Sequence, residues 1–292
     1  MSRDNVSVTT RVPTAIGLGR GTPGGQRFLK AAAGSAALAL ALVLAAAPAH
    51  AATVTDFATC ARLAEQTPAD ALPAAQAWLD HGGGDAARLC RAEALFLHGD
   101  FAPAGEVFEA LATSSIARTP VQAANLYDRA GLSWLRAGDA ARAEKLITTA
   151  LERLPGDTDL LIDRALARAE GKRYREAIED LSEVLKQAPR RAEIYLYRAE
   201  AWQALNRLDQ ALADADHVLT LKPGDGEALV LRGTLHALSG DATGARLDWR
   251  EVIRREPDSA NGKTAAERLS RLDHAPAEAS PAGDKPAAPP PP

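Results

Sequence analysis

Three arginines and three aspartates stand in register along this chain. Arg164, Arg198 and Arg232 recur every 34 residues, and Asp180, Asp214 and Asp248 recur with them, each 16 residues after its arginine. A guanidinium presents a planar fork of donors that meets a carboxylate in two parallel hydrogen bonds. A buried charge needs such a partner. The spacing predicts a structural ladder of arginine–aspartate pairs, made within one unit or across to the next. The competing chemistry is a row of free arginines that holds phosphate or carboxylate. The matching number of aspartates argues against that row.

Other reactive groups are sparse. The chain has two cysteines and six histidines, the latter scattered at 50, 81, 98, 217, 236 and 274. No C-x-x-C and no H-E-x-x-H occurs, so no metal or dithiol motif is present. Gly262-Lys263-Thr264 resembles the end of a phosphate-binding loop, but Pro257 stands where the first glycine belongs and no strand precedes it. The glycine-rich stretch from Gly17 to Gly21 also lacks a preceding strand. The expectation is a protein that is no enzyme and carries neither cofactor nor metal.

The elements that position the ladder follow from the same period. Pro155, Pro189, Pro223 and Pro257 are spaced by 34 residues, as are Ala143, Ala177, Ala211 and Ala245. Leu151, Leu185, Leu219 and Ile253 form a further column. Ala, Leu, Arg and Glu, all good helix formers, dominate 124–257. Apolar residues recur at three and four, as in Leu181, Val184, Leu185 and Ala188. A period of this length fits a helix–turn–helix unit that cannot bury its apolar face alone and must stack. The expected fold class is all-α, an α-solenoid of antiparallel helix hairpins.

The columns resemble the tetratricopeptide repeat. A bulky residue (Tyr127, Leu161, Tyr195, Leu229) precedes a small one (Gly131, Ala165, Ala199, Gly233), then Trp134, Arg168, Trp202 and His236. Turns fall at 137–139, 170–172, 205–207 and 239–241, and a proline closes each unit. The matching repeats are 124–157, 158–191, 192–225 and 226–259. Residues 52–123 read as degenerate units that keep Leu95, Ala104 and Phe108, with Ala74 and Trp78 on an earlier second helix. About five extra residues precede 124. The segment 260–273 reads as a closing helix, as Ala265, Leu269 and Leu272 have helical spacing.

The resemblance implies a right-handed superhelix whose concave groove binds a protein or peptide. Carried over by register, the groove comprises Asn125, Asp128, Leu132, Leu135 and Arg136 in the first unit. Asp159, Ile162, Leu166 and Glu170 follow, then Glu193, Leu196, Glu200 and Gln203, then Glu227, Val230, Thr234 and Leu238. The expected surface is apolar with an acidic rim, suited to a basic and apolar segment. Some members grip a C-terminal carboxylate with Lys and Asn here. The corresponding positions are Asp128, Ile162, Leu196 and Val230, so that clamp is missing.

Cys60 and Cys90 fall at comparable places in the first helices of the two degenerate units. Neighbouring first helices lie side by side, so a disulfide and two buried free thiols are both open readings.

The ends differ from the body. Arg20, Arg27 and Lys30 precede an uncharged run over 31–49, closed by Pro48-Ala49-His50-Ala51. This reads as a signal peptide over 1–51, cleaved after Ala51. The alternative is an uncleaved inner-membrane anchor, the one case in which the protein contacts a membrane. The expected location is the periplasm or the secreted fraction, in the manner of a bacterial exported protein. The whole chain carries −4; the segment 1–51 has five basic residues and one acidic, so the remainder is −8. That balance disfavours nucleic acid as a partner. Residues 274–292 are rich in Ala and Pro and lack a periodic apolar face, so they read as a disordered tail.

Overall fold

The computed structural model describes residues 54–274, so the signal-peptide reading and most of the tail lie outside the described residues. Among the described residues there are thirteen helices and no strand. They are α1 (Phe57–Gln66), α2 (Pro68–Asp80), α3 (Gly84–His98), α4 (Phe101–Ala112), α5 (Pro120–Arg136), α6 (Ala140–Arg153) and α7 (Thr158–Glu170). Then come α8 (Tyr174–Gln187), α9 (Ala192–Ala204), α10 (Leu208–Leu221), α11 (Gly226–Leu238), α12 (Ala242–Arg255) and α13 (Ala260–His274). Each helix packs on the next, and α1 also touches α3, α5 touches α7 and α11 touches α13. None of the described helices is long and apolar enough to cross a membrane.

Local chemistry sets the helix ends. Asp157 and Asp225 cap α7 and α11 by accepting backbone N–H groups, at 3.1 Å from Leu160 and 3.0 Å from Ala228. Each closing proline lies just past a second helix, where no helical N–H is needed. The helix of the first regular unit starts at Pro120, ahead of the expected boundary at 124. Thr119 and Gln122 form a reciprocal capping box with Pro120 at the first helical position, which draws the start upstream. The closing helix is also longer than expected, reaching His274.

Within each hairpin, side-chain sizes are complementary. Gly131 faces Ile147, and a Cβ at Gly131 would lie 2.5 Å from the Ile147 side chain. Gly233 faces Trp249, where the clearance would be 2.6 Å. At the same register, Ala199 and Ala215 are both fully buried. A close-packed interior fixes the sum of facing volumes, so one helix gives way where the other is large.

The ladder residues pair inside each hairpin. Arg164 donates to both oxygens of Asp180 at 3.0 and 2.7 Å. Arg232 donates to both oxygens of Asp248 at 2.8 and 2.6 Å. The three aspartates are buried. The remaining Arg198 nitrogen reaches Ser182 at 3.1 Å, and that of Arg232 reaches Asp216 at 2.7 Å. Both acceptors sit on the preceding hairpin, so the ladder ties units together as well as closing them. Arg168, which stands in the aromatic column, joins the same network by donating to Asp180 at 2.7 Å and Glu144 at 2.9 Å.

At the degenerate end, Cys60 of α1 and Cys90 of α3 are bonded, with Cα atoms 5.9 Å apart. The seam to the regular repeats is the ion pair of Arg129 on α5 with Glu93 on α3. The Arg129 guanidinium also lies 4.9 Å from the Phe96 ring centre, and desolvation lowers its pKa to about 10.

Candidate functional site: the inner face of the first helices

The expected groove residues lie on α5, α7, α9 and α11, and α13 continues the same 34-residue register. The structure divides the expected groove residues into two groups.

Ile162, Leu196 and Val230 are buried, so they do not line an open groove. Leu196 packs with Ala192, Val218 and Ala228. Val230 packs with Trp249 and Val252. The stacked units close over this column, which corrects the reading of these three as partner-binding. Leu132, Leu135 and Leu166 keep partial exposure, as do Asn125, Asp128, Gln203 and Thr234. Arg136, Glu170 and Leu238 are exposed.

The acidic rim is also altered. Arg191 takes the place that Asp157 and Asp225 occupy in neighbouring units, at the start of its helix. It caps nothing with its side chain; instead it donates to Asp159 at 3.1 Å and to Glu193 at 2.9 Å. Desolvation works against the Glu193 carboxylate, but Arg191 more than offsets it and holds the pKa below the ordinary value. Asp159 and Glu193 of the expected acidic rim are therefore partnered within the protein.

Glu200 and Glu227 behave differently. Both are exposed, and neither forms an ion pair among the described residues. The surrounding helices desolvate the Glu200 carboxyl and Glu227 repels it, which raises its pKa to about 7. Desolvation first, then Asp225, also raises the Glu227 pKa. Tyr197, absent from the expected groove, lies in the same field: desolvation, Glu227, Glu193 and Glu200 all raise its hydroxyl pKa.

Arg268 on α13 was also missed. The closing helix carries the repeat register one step further, since Arg268 follows Thr234 by 34 residues and donates a hydrogen bond to its hydroxyl. Desolvation, then Arg271, lowers its pKa. The period itself would have found it, had 260–273 been read as a further first helix.

No group of three or more His, Cys, Asp or Glu side chains among the described residues could hold a metal ion. These helices carry partly exposed leucines, two carboxylates with no ion pair among the described residues, and one arginine. Such a surface offers recognition chemistry.

Fold and face together define an α-solenoid of stacked helix hairpins. The tetratricopeptide repeat family matches at residues 129–190, 162–225 and 203–261, and this part of the chain is built of tetratricopeptide repeats. Over 84 residues it is 31% identical to a DnaJ homolog subfamily C member 7 homolog from Schizosaccharomyces pombe, covering 29% of this chain and 16% of that protein. Over 111 residues it is 27% identical to the Hsp70-Hsp90 organizing protein of Triticum aestivum, covering 38% and 19%. The chain thus spans under a fifth of the length of these relatives. Among solved structures, MamA from residue 41 to its end, from Desulfovibrio magneticus RS-1, superposes with a TM-score of 0.54 at 18% identity. That match covers 61% of this chain and 99% of the solved one. The Cut9–Hcn1 hetero-tetramer of the APC/C gives a TM-score of 0.54 at 14% identity, covering 75% of this chain and 43% of that one. At these identities the likeness concerns the fold. Repeats and relatives support a protein-binding scaffold.

Proposed function

We propose that this protein is a non-catalytic scaffold of the bacterial envelope that docks a basic, partly apolar protein segment on the inner face of its first helices. One observation carries the reading: Glu200 and Glu227 stand exposed on these first helices with no ion pair among the described residues, on the same set of helices as partly exposed Leu132 and Leu166. Carboxylates placed in a partly desolvated trough are stabilised by an incoming cation, and apolar contacts supply affinity while rim charges steer. The envelope assignment rests on the sequence of 1–51, which reads as an export signal. Sequencing of the mature N-terminus tests it, and a start at Ala52 is the expected result.

The docking reading is tested by a photo-crosslinker at Leu166 in the native envelope. It should capture a discrete partner. Glu200→Lys with Glu227→Lys should abolish that product while the melting temperature is retained. An unchanged crosslink in the folded double variant rejects the trough as the docking surface.

A further inference from the structure

One register of the inner face runs Leu132, Leu166, Glu200, Thr234 and Arg268, each 34 residues after the last. We propose that this row reads a charge order in its partner: an extended protein segment whose side chains run apolar, then basic, then acidic, opposite Leu166, Glu200 and Arg268. The proposal rests on the docking function above and names the chemistry of the segment.

Two charges of the row have no counter-ion. Glu200 forms no ion pair among the described residues, and its charged neighbour is another carboxylate, Glu227. Arg268 donates to the neutral hydroxyl of Thr234, and the charge acting on it is that of Arg271. Elsewhere in the same fold arginines meet carboxylates: Arg191, Arg198 and Arg232 each hold one or two. Glu200 and Arg268 cannot neutralise each other, because α11 stands between α9 and α13. With packed helix axes roughly 8–10 Å apart, the two lie about 20 Å from each other. A charge that is partly desolvated and unpaired is costly. A ligand carrying the opposite sign at each place removes both penalties.

Geometry sets the spacing. One helix step corresponds to about three residues of an extended chain at roughly 3.3 Å each. The basic residue should follow the apolar one by about three positions, and the acidic group should follow by about six more. The upstream leucines fix the apolar end, so the segment docks in one direction.

The test uses the full exported chain and two labelled synthetic peptides. One carries leucine, lysine and glutamate at those spacings; the other has lysine and glutamate exchanged. Each is made in both chain directions, and affinities are measured by fluorescence anisotropy. The protein should prefer the first order by about tenfold or more in one direction. Glu200→Lys with Arg268→Glu should reverse the preference. Glu200→Lys alone, at an exposed site, should erase it and keeps the test decisive if the double variant fails to fold. Equal binding of both peptides, weakened by Leu166→Ser, overturns the charge order and leaves the docking surface standing. Binding of neither overturns the charge order, and the Leu166 crosslink then judges the docking surface by itself. If deleting 275–292 raises affinity for both peptides alike, the chain's own tail occupies the trough and the partner assignment falls. If the protein self-associates through a contact that Glu200→Lys breaks, the occupant is a second copy and the assignment falls likewise.

Discussion

Arg198 and Asp214 are joined by two hydrogen bonds, Nε to Oδ2 at 2.8 Å and Nη2 to Oδ1 at 2.7 Å, across the two helices of one hairpin. The carboxylate is buried, and the hydrogen bonds that Arg198 donates to Asp214 raise the arginine's pKa despite desolvation. At the equivalent places of the first regular unit stand Ala130 and Leu146, both buried. The fold therefore accepts either a charged pair or an apolar one here.

That contrast sets the first prediction. Arg198→Ala should destabilise the protein by about 3–5 kcal/mol, because it leaves Asp214 buried and unpaired. Arg198→Ala with Asp214→Leu should recover much of the loss, following the first unit. Urea unfolding of the single and double variants measures both. A single variant as stable as the wild type would show that the pair is not structural.

The second concerns the turns. Gly138, Lys172, Asn206 and Gly240 share one register, and all have positive φ, with Lys172 at 61°. A lysine there pays a steric penalty of about 1 kcal/mol that glycine avoids. Lys172→Gly should stabilise the protein by up to about 1 kcal/mol, less the extra entropy of its unfolded chain. A drop in melting temperature would mean that Lys172 makes contacts worth more than its strain.

The third concerns the amino-terminal end. The Cys60–Cys90 bond closes a separation of 30 residues between two fully buried positions. By loop-closure entropy it should contribute about 3–4 kcal/mol. Thiol titration of denatured, unreduced protein should find no free thiol. After reduction, hydrogen exchange should speed first in α1 and α2, since an end unit has a neighbour on one side only.

The fourth is a pH effect. Glu200 titrates at about 7 when folded against an ordinary 4.5. The folded state therefore binds more protons than the unfolded one between those values, and this group's contribution to stability falls as pH rises through that window. Glu200→Gln should raise the melting temperature relative to wild type at about pH 8 and leave it unchanged at about pH 4. Equal melting curves at both would show that the trough does not desolvate this carboxyl.

Several of these features were legible in the residues. The 34-residue columns point to the hairpins, their closing prolines and a matching of arginines with aspartates, because a helical repeat returns the same residue to the same face. They leave open whether the pairs close one hairpin or join two; the structure closes them within the hairpin. The place of Cys60 and Cys90 left a disulfide and two thiols open, since the approach of α1 to α3 depends on packing between degenerate units. The identity of the left-handed residue was also hidden: Gly171 lies in the same turn, yet its φ is −72° and Lys172 takes the positive value.

Sequence by itself determined the helical class and the matching of Arg164, Arg198 and Arg232 with aspartates. These follow from periodicity, which is a property of one helix and its immediate partner. Tertiary structure alone decided which inner-face residues remain available. Ile162, Leu196 and Val230 share a register with the partly exposed Asp128, but the distance between stacked units buries them. Asp159 and Glu193 share a register with Glu227, but Arg191 reaches across two helices and holds them, while Glu227 stays unpaired. Burial and counter-ions depend on what a neighbouring unit brings within a few ångströms, and a linear pattern does not record that distance.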